Sequence, residues 1–280
     1  MTHWRDRLLS VLTALSLALV LGLLAWLLVD LMARGWSSLS WSFVTEAPRN
    51  AGREGGISTI LVATGWILLV ALASALPLGL GCAIWLNEYT RRDNSAAAAV
   101  RVSLDVLAGI PSIVFGLFGF AFFGQFLGFG YAILTGGLTL GCMILPLLIR
   151  TIEQGLRALG DDWRQAGAAL GMSRFTLLHQ VILPATAPAI ATGTLLGTGR
   201  ATAETAALLF TSGYVDRMPE SLSDSGRALA VHIYDLTLNV SGGDQAAYAS
   251  ALVLIALIIL VNGLTLLAGQ LWMQRKIQYG

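Results

Sequence analysis

At 280 residues, 56% apolar and only 12% charged, with a mean hydropathy of +0.73, the chain carries more apolar surface than a soluble core of its size needs. Soluble domains average about 25% charged residues. A net charge of +1 gives no global basic field for nucleic acid. Cys82 and Cys142 lie inside apolar runs with no Cys or His at metal-ligand spacing, and His3, His179 and His232 are scattered, so no metal or catalytic constellation is spelled out.

In chain order, a short basic start (Arg5, Arg7) leads into Leu8–Met32, a nearly continuous apolar run ended by Asp30. Crossing a hydrocarbon layer about 30 Å thick takes about 20 helical residues, so this run spans. It exceeds the ~7–15-residue core of a cleavable leader and no clean small-x-small site follows, so it reads as a retained first span. Ala33–Gly56 is a polar-aromatic loop whose Trp36 and Trp41 suit the headgroup layer. Ile57–Leu86 is the second span, followed by the charged turn Asn87–Ser95. Ala96–Phe126 reads as the third, with Arg101 and Asp105 spaced for an i,i+4 surface pair and with Gly109, Pro111, Gly116 and Gly119 free to kink it. Gly128–Arg150, Ala185–Thr211 and Tyr248–Met273 complete six spans, and the polar connection Ser212–Ala247 has room for short helices. The expected fold is all-α: a polytopic bundle of six transmembrane helices.

Between the fourth and fifth spans lies Asp161–Pro188, DDWRQAGAALGMSRFTLLHQVILPATAP. It resembles the cytoplasmic coupling loop of ABC-transporter permeases: Glu-Ala-Ala, three residues, Gly, nine residues, Ile-x-Leu-Pro. Ala166, Gly171, Leu183 and Pro184 fall in register, whereas Gln165, Gly167 and Val181 replace the usual Glu, Ala and Ile. The resemblance implies a type I importer permease fold whose loop docks an ATPase subunit. On that reading Gln165, Ala166, Gly167, Gly171, Met172, Phe175, Leu183 and Pro184 form the coupling site, with Met172, Phe175 and Leu178 as its apolar anchors in a groove of the ATPase.

Charge gives an independent check on sidedness. With the amino terminus inside, the inner segments hold Arg5, Arg7, Arg91, Arg92, Arg101, Arg150, Arg157, Arg164, Arg174, Arg275 and Lys276, and the outer ones only Arg34, Arg49, Arg53, Arg217 and Arg227. The positive-inside rule therefore puts both termini and the Asp161–Pro188 loop in the cytoplasm of a bacterial inner-membrane protein. The chain has no Gly-rich loop ending in Gly-Lys-Ser/Thr, so ATP and Mg²⁺ belong to partner subunits and the chain itself is no enzyme.

Other stretches narrow the resemblance to phosphate permeases of the PstA type. They are Gly55-Gly56-Ile57, Leu86-Asn87-Glu88-Tyr89, IPSIVFG from Ile110, Arg150-Thr151-Ile152-Glu153, AETAALLFT from Ala203, and His232-Ile233-Tyr234. The implied organisation is an amino-terminal helix and periplasmic loop (1–54), a transmembrane domain (55–275) with its coupling loop at about 153–184, and a short tail (276–280). The implied assembly pairs two different permeases with two ATPases and a periplasmic phosphate-binding protein. A PstC-type partner, a permease for sulfate or molybdate, or a secondary transporter are the rival readings. The last would usually show paired interrupted repeats, and only one Arg/Glu-bearing span is present.

Four charged residues are candidates for the solute pathway: Arg200, Glu204, Arg150 and Glu153. Arg200, twelve residues beyond Pro188, falls near mid-membrane, with Glu204 one turn further on the same helical face. They form either a self-neutralising ion pair or a transient site in which Arg grips phosphate oxygens and the carboxylate accepts the hydrogen-phosphate proton. Arg150 and Glu153 sit at the inner end of the fourth span, either as interfacial charges or at positions that the resemblance connects with transport. Gly193 and Gly197 make a close-packing face toward the partner permease or a neighbouring span.

Overall fold

A computed structural model describes residues 3–91 and 93–277. Arg92 and the tail residues 278–280 lie outside the described residues, as do the side chains of Arg5, Arg275 and Lys276. Twelve α-helices occur among the described residues: α1 (His3–Gly35), α2 (Trp41–Thr45), α3 (Ser58–Ile84), α4 (Ser95–Ala108), α5 (Ser112–Gly119), α6 (Ile133–Ala158), α7 (Asp162–Ala169), α8 (Arg174–Leu177), α9 (Leu183–Thr202), α10 (Ala206–Leu209), α11 (Leu229–Leu238) and α12 (Asp244–Ile277). A two-residue ribbon, β1 (Pro48–Arg49) with β2 (Glu54–Gly55), interrupts the connection before α3. Five helices are long and apolar enough to cross a membrane, and a bent pair, α4 with α5, raises this to six.

That bend corrects the third span. The two helices meet at 106° rather than forming one rod over Ala96–Phe126. Pro111 disfavours helical backbone in the residue before it, so α4 stops at Ala108 and α5 restarts at Ser112. The fifth span is also corrected. It runs unbroken from Arg174 through a π-type turn at Leu178–Ile182 into α9 and ends at Thr202, not Thr211. Pro184 lies just after that π-type turn, inside the continuous span, so it does not close the loop.

The bundle is centred on α6, which packs against α3, α5 and α9. Close approach of α3 and α6 depends on Gly137, where a Cβ would lie 2.5 Å from that of Val70. Gly193 and Gly197 of α9 lie over Thr151, Leu148 and Ile144, which assigns their face to α6 and not to a second permease. One apolar cluster joins Ile67, Leu68, Leu140, Ile144, Leu148 and Leu208. A second, at the end bearing α7 and α8, joins Leu86, Leu104, Ile149, Ile152, Leu156 and Ile182. No residue in the spanning window of α1 is buried within the chain, and that helix touches mainly α12.

The opposite end is sealed by a polar cap. Asn50, Ala51 and Gly52 all have positive φ, and a Cβ on Gly52 would lie 2.5 Å from Cε1 of His232, so glycine lets this turn close over the ring. His232 is fully buried; Arg227 Nη1 lies 3.5 Å from its Nδ1 and 3.3 Å from Asp235. Burial first, then the Arg227 charge, with Asp235 opposing, pushes its pKa down to about 4. A group whose folded pKa is depressed below an unfolded value near 6.5 resists protonation only in the native state. Its contribution is whole above pH 6.5 and fades as pH falls to about 4, for a total of about 3 kcal/mol. We predict that the melting temperature of the detergent-solubilised protein falls over that window and that His232→Phe flattens the slope. An unchanged slope would show that His232 is not responsible.

Candidate functional site

The loop between α6 and α9 turns on two residues. Gly171 takes φ +71° in a position open to solvent, ending α7, and Ser173 caps α8 by accepting from the Thr176 N–H at 3.1 Å. Gly167 is buried because Leu177 of α8 lies across it, where a Cβ would stand 2.6 Å from a Leu177 methyl. Gln165 and Ala166 are exposed, while Leu183 and Pro184 are half-buried in the first turn of α9. Of the three expected apolar anchors, Met172 and Leu178 turn inward and pack on the chain's own cluster. Phe175 points out at 72% exposure and stacks on His179 with ring centroids 5.9 Å apart. Leu170, 80% exposed, and Trp163 join it, and sequence reading missed both. Their signal was available: large apolar residues in a short polar helix that is too short to bury them.

Beside this loop the spans gather charge. Glu153 of α6 is 2% exposed and faces three guanidiniums: Arg157 Nη2 at 2.7 Å, Arg101 Nε at 2.9 Å and Arg150 Nη1 at 3.5 Å. Arg101 also donates to the Leu86 carbonyl at 3.0 Å, and Arg150 to the Arg101 carbonyl at 2.9 Å and to Asp105. The i,i+4 pair expected between Arg101 and Asp105 is therefore not made; each reaches α6 instead. The local pair is worth a few tenths of a kcal/mol, whereas the buried Glu153 carboxylate gathers several donors, which offset the cost of its burial.

Next to the cluster, Arg164 of α7 forks onto Glu88, its Nε to Oε2 at 3.0 Å and its Nη2 to Oε1 at 2.5 Å, and also donates to the carbonyls of Leu156 and Gly160. The hydrogen bonding that Arg164 donates to the Glu88 carboxylate is the main cause holding the Arg164 pKa above its ordinary value. A cavity of about 650 Å³ separates this fork from the Glu153 cluster, lined by Leu86, Glu88, Arg101, Arg157, Asp161 and Arg164 among others.

Arg200 and Glu204 do not share a helical face. Helix α9 ends at Thr202, and Glu204 lies beyond it, its Oε1 accepting from the Ala207 N–H at 3.2 Å at the start of α10. Arg200 is exposed and, among the described residues, forms no ion pair with Glu204. Gly197 sits on Ile144, midway along α6, so Arg200, one turn on, is near the middle of the bundle. The four pathway candidates thus divide into Arg150 and Glu153 in one buried cluster, an open Arg200, and a Glu204 committed to capping.

A helix bundle with a bent span, an exposed helical loop at one end and, among the described residues, a cation without an ion pair at mid-depth is the architecture of a polytopic membrane protein. Residues 75–277 match the family described as binding-protein-dependent transport system inner membrane component. The chain is 31% identical over 270 residues to the probable ABC transporter permease protein YqgI of Bacillus subtilis (strain 168), covering 91% of this chain and 92% of that protein. It is 34% identical over 245 residues to the phosphate transport system permease protein PstA 1 of Mycobacterium tuberculosis (strain ATCC 25618 / H37Rv), covering 85% and 79%. To PstA of Yersinia pestis it is 31% identical over 270 residues, covering 92% and 89%. The fold is like that of a chain in an inward-facing structure of the MetNI methionine ABC transporter, with a TM-score of 0.55 at 16% identity over 78% of this chain and 96% of that one.

The chain belongs to the binding-protein-dependent transport system inner membrane component family. It is a multi-pass, non-catalytic permease subunit of an ABC importer, and membership implies ATPase and solute-binding-protein partners.

Truncating Glu153 leaves Arg101 and Arg150 without their buried counter-charge. Glu153→Leu is expected to destabilise the protein by about 3–5 kcal/mol. Arg157→Ala, at a half-exposed partner, is expected to cost less than about 1 kcal/mol. Thermal unfolding in detergent compares the two, and equal losses would contradict this division.

Proposed function

We propose that this chain is the PstA-type permease of an ATP-driven importer of inorganic phosphate. Arg200 carries the reading: a guanidinium held at mid-bundle, exposed and without an ion pair among the described residues. Placing Arg in mid-membrane costs ~2.5–3.5 kcal/mol on insertion scales, so it has to face a partner protein or water, not lipid. Phosphate suits it, because forked donors match phosphate oxygens. The relatives named for phosphate transport support the same solute.

On this reading a second, different permease packs against the Arg200 face, and the solute passes between the two subunits. Arg200 binds weakly and in passing, since tight binding would slow release, and selectivity rests mainly with the periplasmic binding protein. Arg150 and Glu153 border the path at its cytoplasmic end, where Glu153 balances the surrounding guanidiniums. Glu204 fixes the turn into α10. Two ATPase subunits bind ATP and Mg²⁺ and dock on the coupling loops, here through Phe175, Leu170 and the exposed edge of α7 at Gln165 and Ala166. Their closure on ATP draws the loops together and opens the path outward. The basic excess on one side of the membrane supports cytoplasmic termini.

Reconstitution with its partners in proteoliposomes tests the solute: ATP-dependent uptake of phosphate, with little of sulfate, is expected. Sulfate uptake without phosphate uptake would reassign the importer to another oxyanion. Arg200→Gln should abolish uptake while the complex stays assembled, and wild-type uptake would remove Arg200 from the path. For docking, Gly171→Arg and Phe175→Asp should each release the ATPase subunit. Co-purification of the ATPase with both variants would contradict the loop assignment.

A further inference from the structure

We infer that the Glu88–Arg164 fork is the strut that carries movement of the docking helix α7 to the Glu153 cluster. The inference rests on the reading of residues 161–183 as the ATPase-docking loop; it is independent of which solute is imported.

Among the described residues, Arg164 is the one side chain of α7 with a hydrogen bond to another element of the bundle. It grips three structures at once: its own helix, the end of α3 through Glu88, and the end of α6 through the Leu156 carbonyl. The region around it is loosely filled. The cavity of about 650 Å³ lies on one side, and a second of about 290 Å³, lined by Tyr89, Ala168, Met172 and Leu178, lies on the other. Glu88 and Arg164 line both. Besides this pair, α7 meets the rest of the chain through the Leu159–Asp161 turn and through Gly167 beneath Leu177. Dense packing transmits displacement; an open cavity does not. A push on α7 therefore reaches the end of α3 through the bidentate pair, whose two parallel bonds resist rotation as well as stretch.

From Glu88 the route is short. Trp85–Tyr89 is a π-type turn at the end of α3, and within it the Leu86 carbonyl accepts from Arg101, whose Nε holds Glu153 at 2.9 Å. A shift of Arg164 thus moves Glu88, then Leu86, then Arg101, and so alters the donors around the buried carboxylate. π-type turns are irregular, with looser hydrogen bonding than a regular α-turn, which makes this turn a plausible place to yield. Glu88 and Arg164 are positioning residues: neither touches solute in this scheme.

The test uses the whole importer in proteoliposomes, with ATP hydrolysis and phosphate uptake measured in the same vesicles. Glu88→Gln and Arg164→Gln should keep the ATPase subunit bound, yet raise the ATP hydrolysed per phosphate imported roughly tenfold, the range of a typical coupling between sites. The exchanged pair, Glu88→Arg with Arg164→Glu, should recover part of that loss, because the fork is rebuilt although the Leu156 carbonyl loses its donor. A wild-type ratio in either single variant would overturn the strut. Release of the ATPase by Arg164→Gln would also overturn it, because Arg164 would then only shape the docking surface. Failure of the docking reading itself shows separately, as ATPase retained by Phe175→Asp.

Discussion

The structure depends on one buried carboxylate. Glu153 sits on the helix that α3, α4, α5 and α9 pack against, and Arg101, Arg150 and Arg157 converge on it there. Arg101 and Arg150 are committed elsewhere as well, to the end of α3 and to α4 respectively. Glu153 is therefore a node rather than a pair. It fixes where α4 lies against α6, and so where the chain bends at Gly109–Pro111 before entering α5. A hydrophobic substitute could pack, but it could not set direction, since apolar contact between helices in lipid is not orientation-specific in this way.

The same node separates two kinds of surface. Around α1 and the outer face of α12 the chain is apolar and exposed, as lipid requires. At the α7 end, by contrast, charges are gathered, paired and set around two cavities. The opposite end is closed instead: Gly52 lies on His232, Arg227 is held by Asp235 and the Tyr214 carbonyl, and Thr59 and Thr64 tie α3 to the cap. One end is built around space and the other around burial, and α3 and α6 run between them.

Much of this was legible in the amino-acid sequence, for physical reasons. Apolar length reports spanning helices directly, because the bilayer sets the number of residues needed. The loop at Asp161–Pro188 was visible through its resemblance to a known motif, and its break at Gly171 is local chemistry. What was not legible depends on tertiary partners. Arg101 and Asp105 carry the spacing of a helix-surface pair, and nothing within α4 says that Arg150 and Glu153 stand closer. Glu204 kept helical spacing from Arg200 on paper, but no proline or glycine marks the break after Thr202, so its capping role emerged only from the fold. Met172 and Leu178 look like exposed anchors until α8 is seen to turn them inward.

The division between legible and illegible features bears on how the subunit works. Features written locally, such as Gly171, the α7 surface and the apolar spans, lie on the outside of the chain, where lipid and, on the proposed function, an ATPase and a second permease meet it. Features that required the fold, such as the Glu88–Arg164 fork and the Glu153 node, join parts of the chain to each other. Transport needs both, because a docking surface without an internal linkage would hold an ATPase and do nothing with its motion. Arg200, which forms no ion pair among the described residues, belongs to neither set. Its helix is continuous with α8 from Arg174 to Thr202, so one unbroken rod joins the docking loop to the cation at mid-bundle. Motion of the loop then has two routes inward: the rod to Arg200 and the ion-pair chain to Glu153. Both originate within residues 161–183, so on the proposed docking a single input would reach both charged sites. Each route contains one π-type turn, Leu178–Ile182 on the rod and Trp85–Tyr89 on the ion-pair chain, so neither is uniformly stiff along its length.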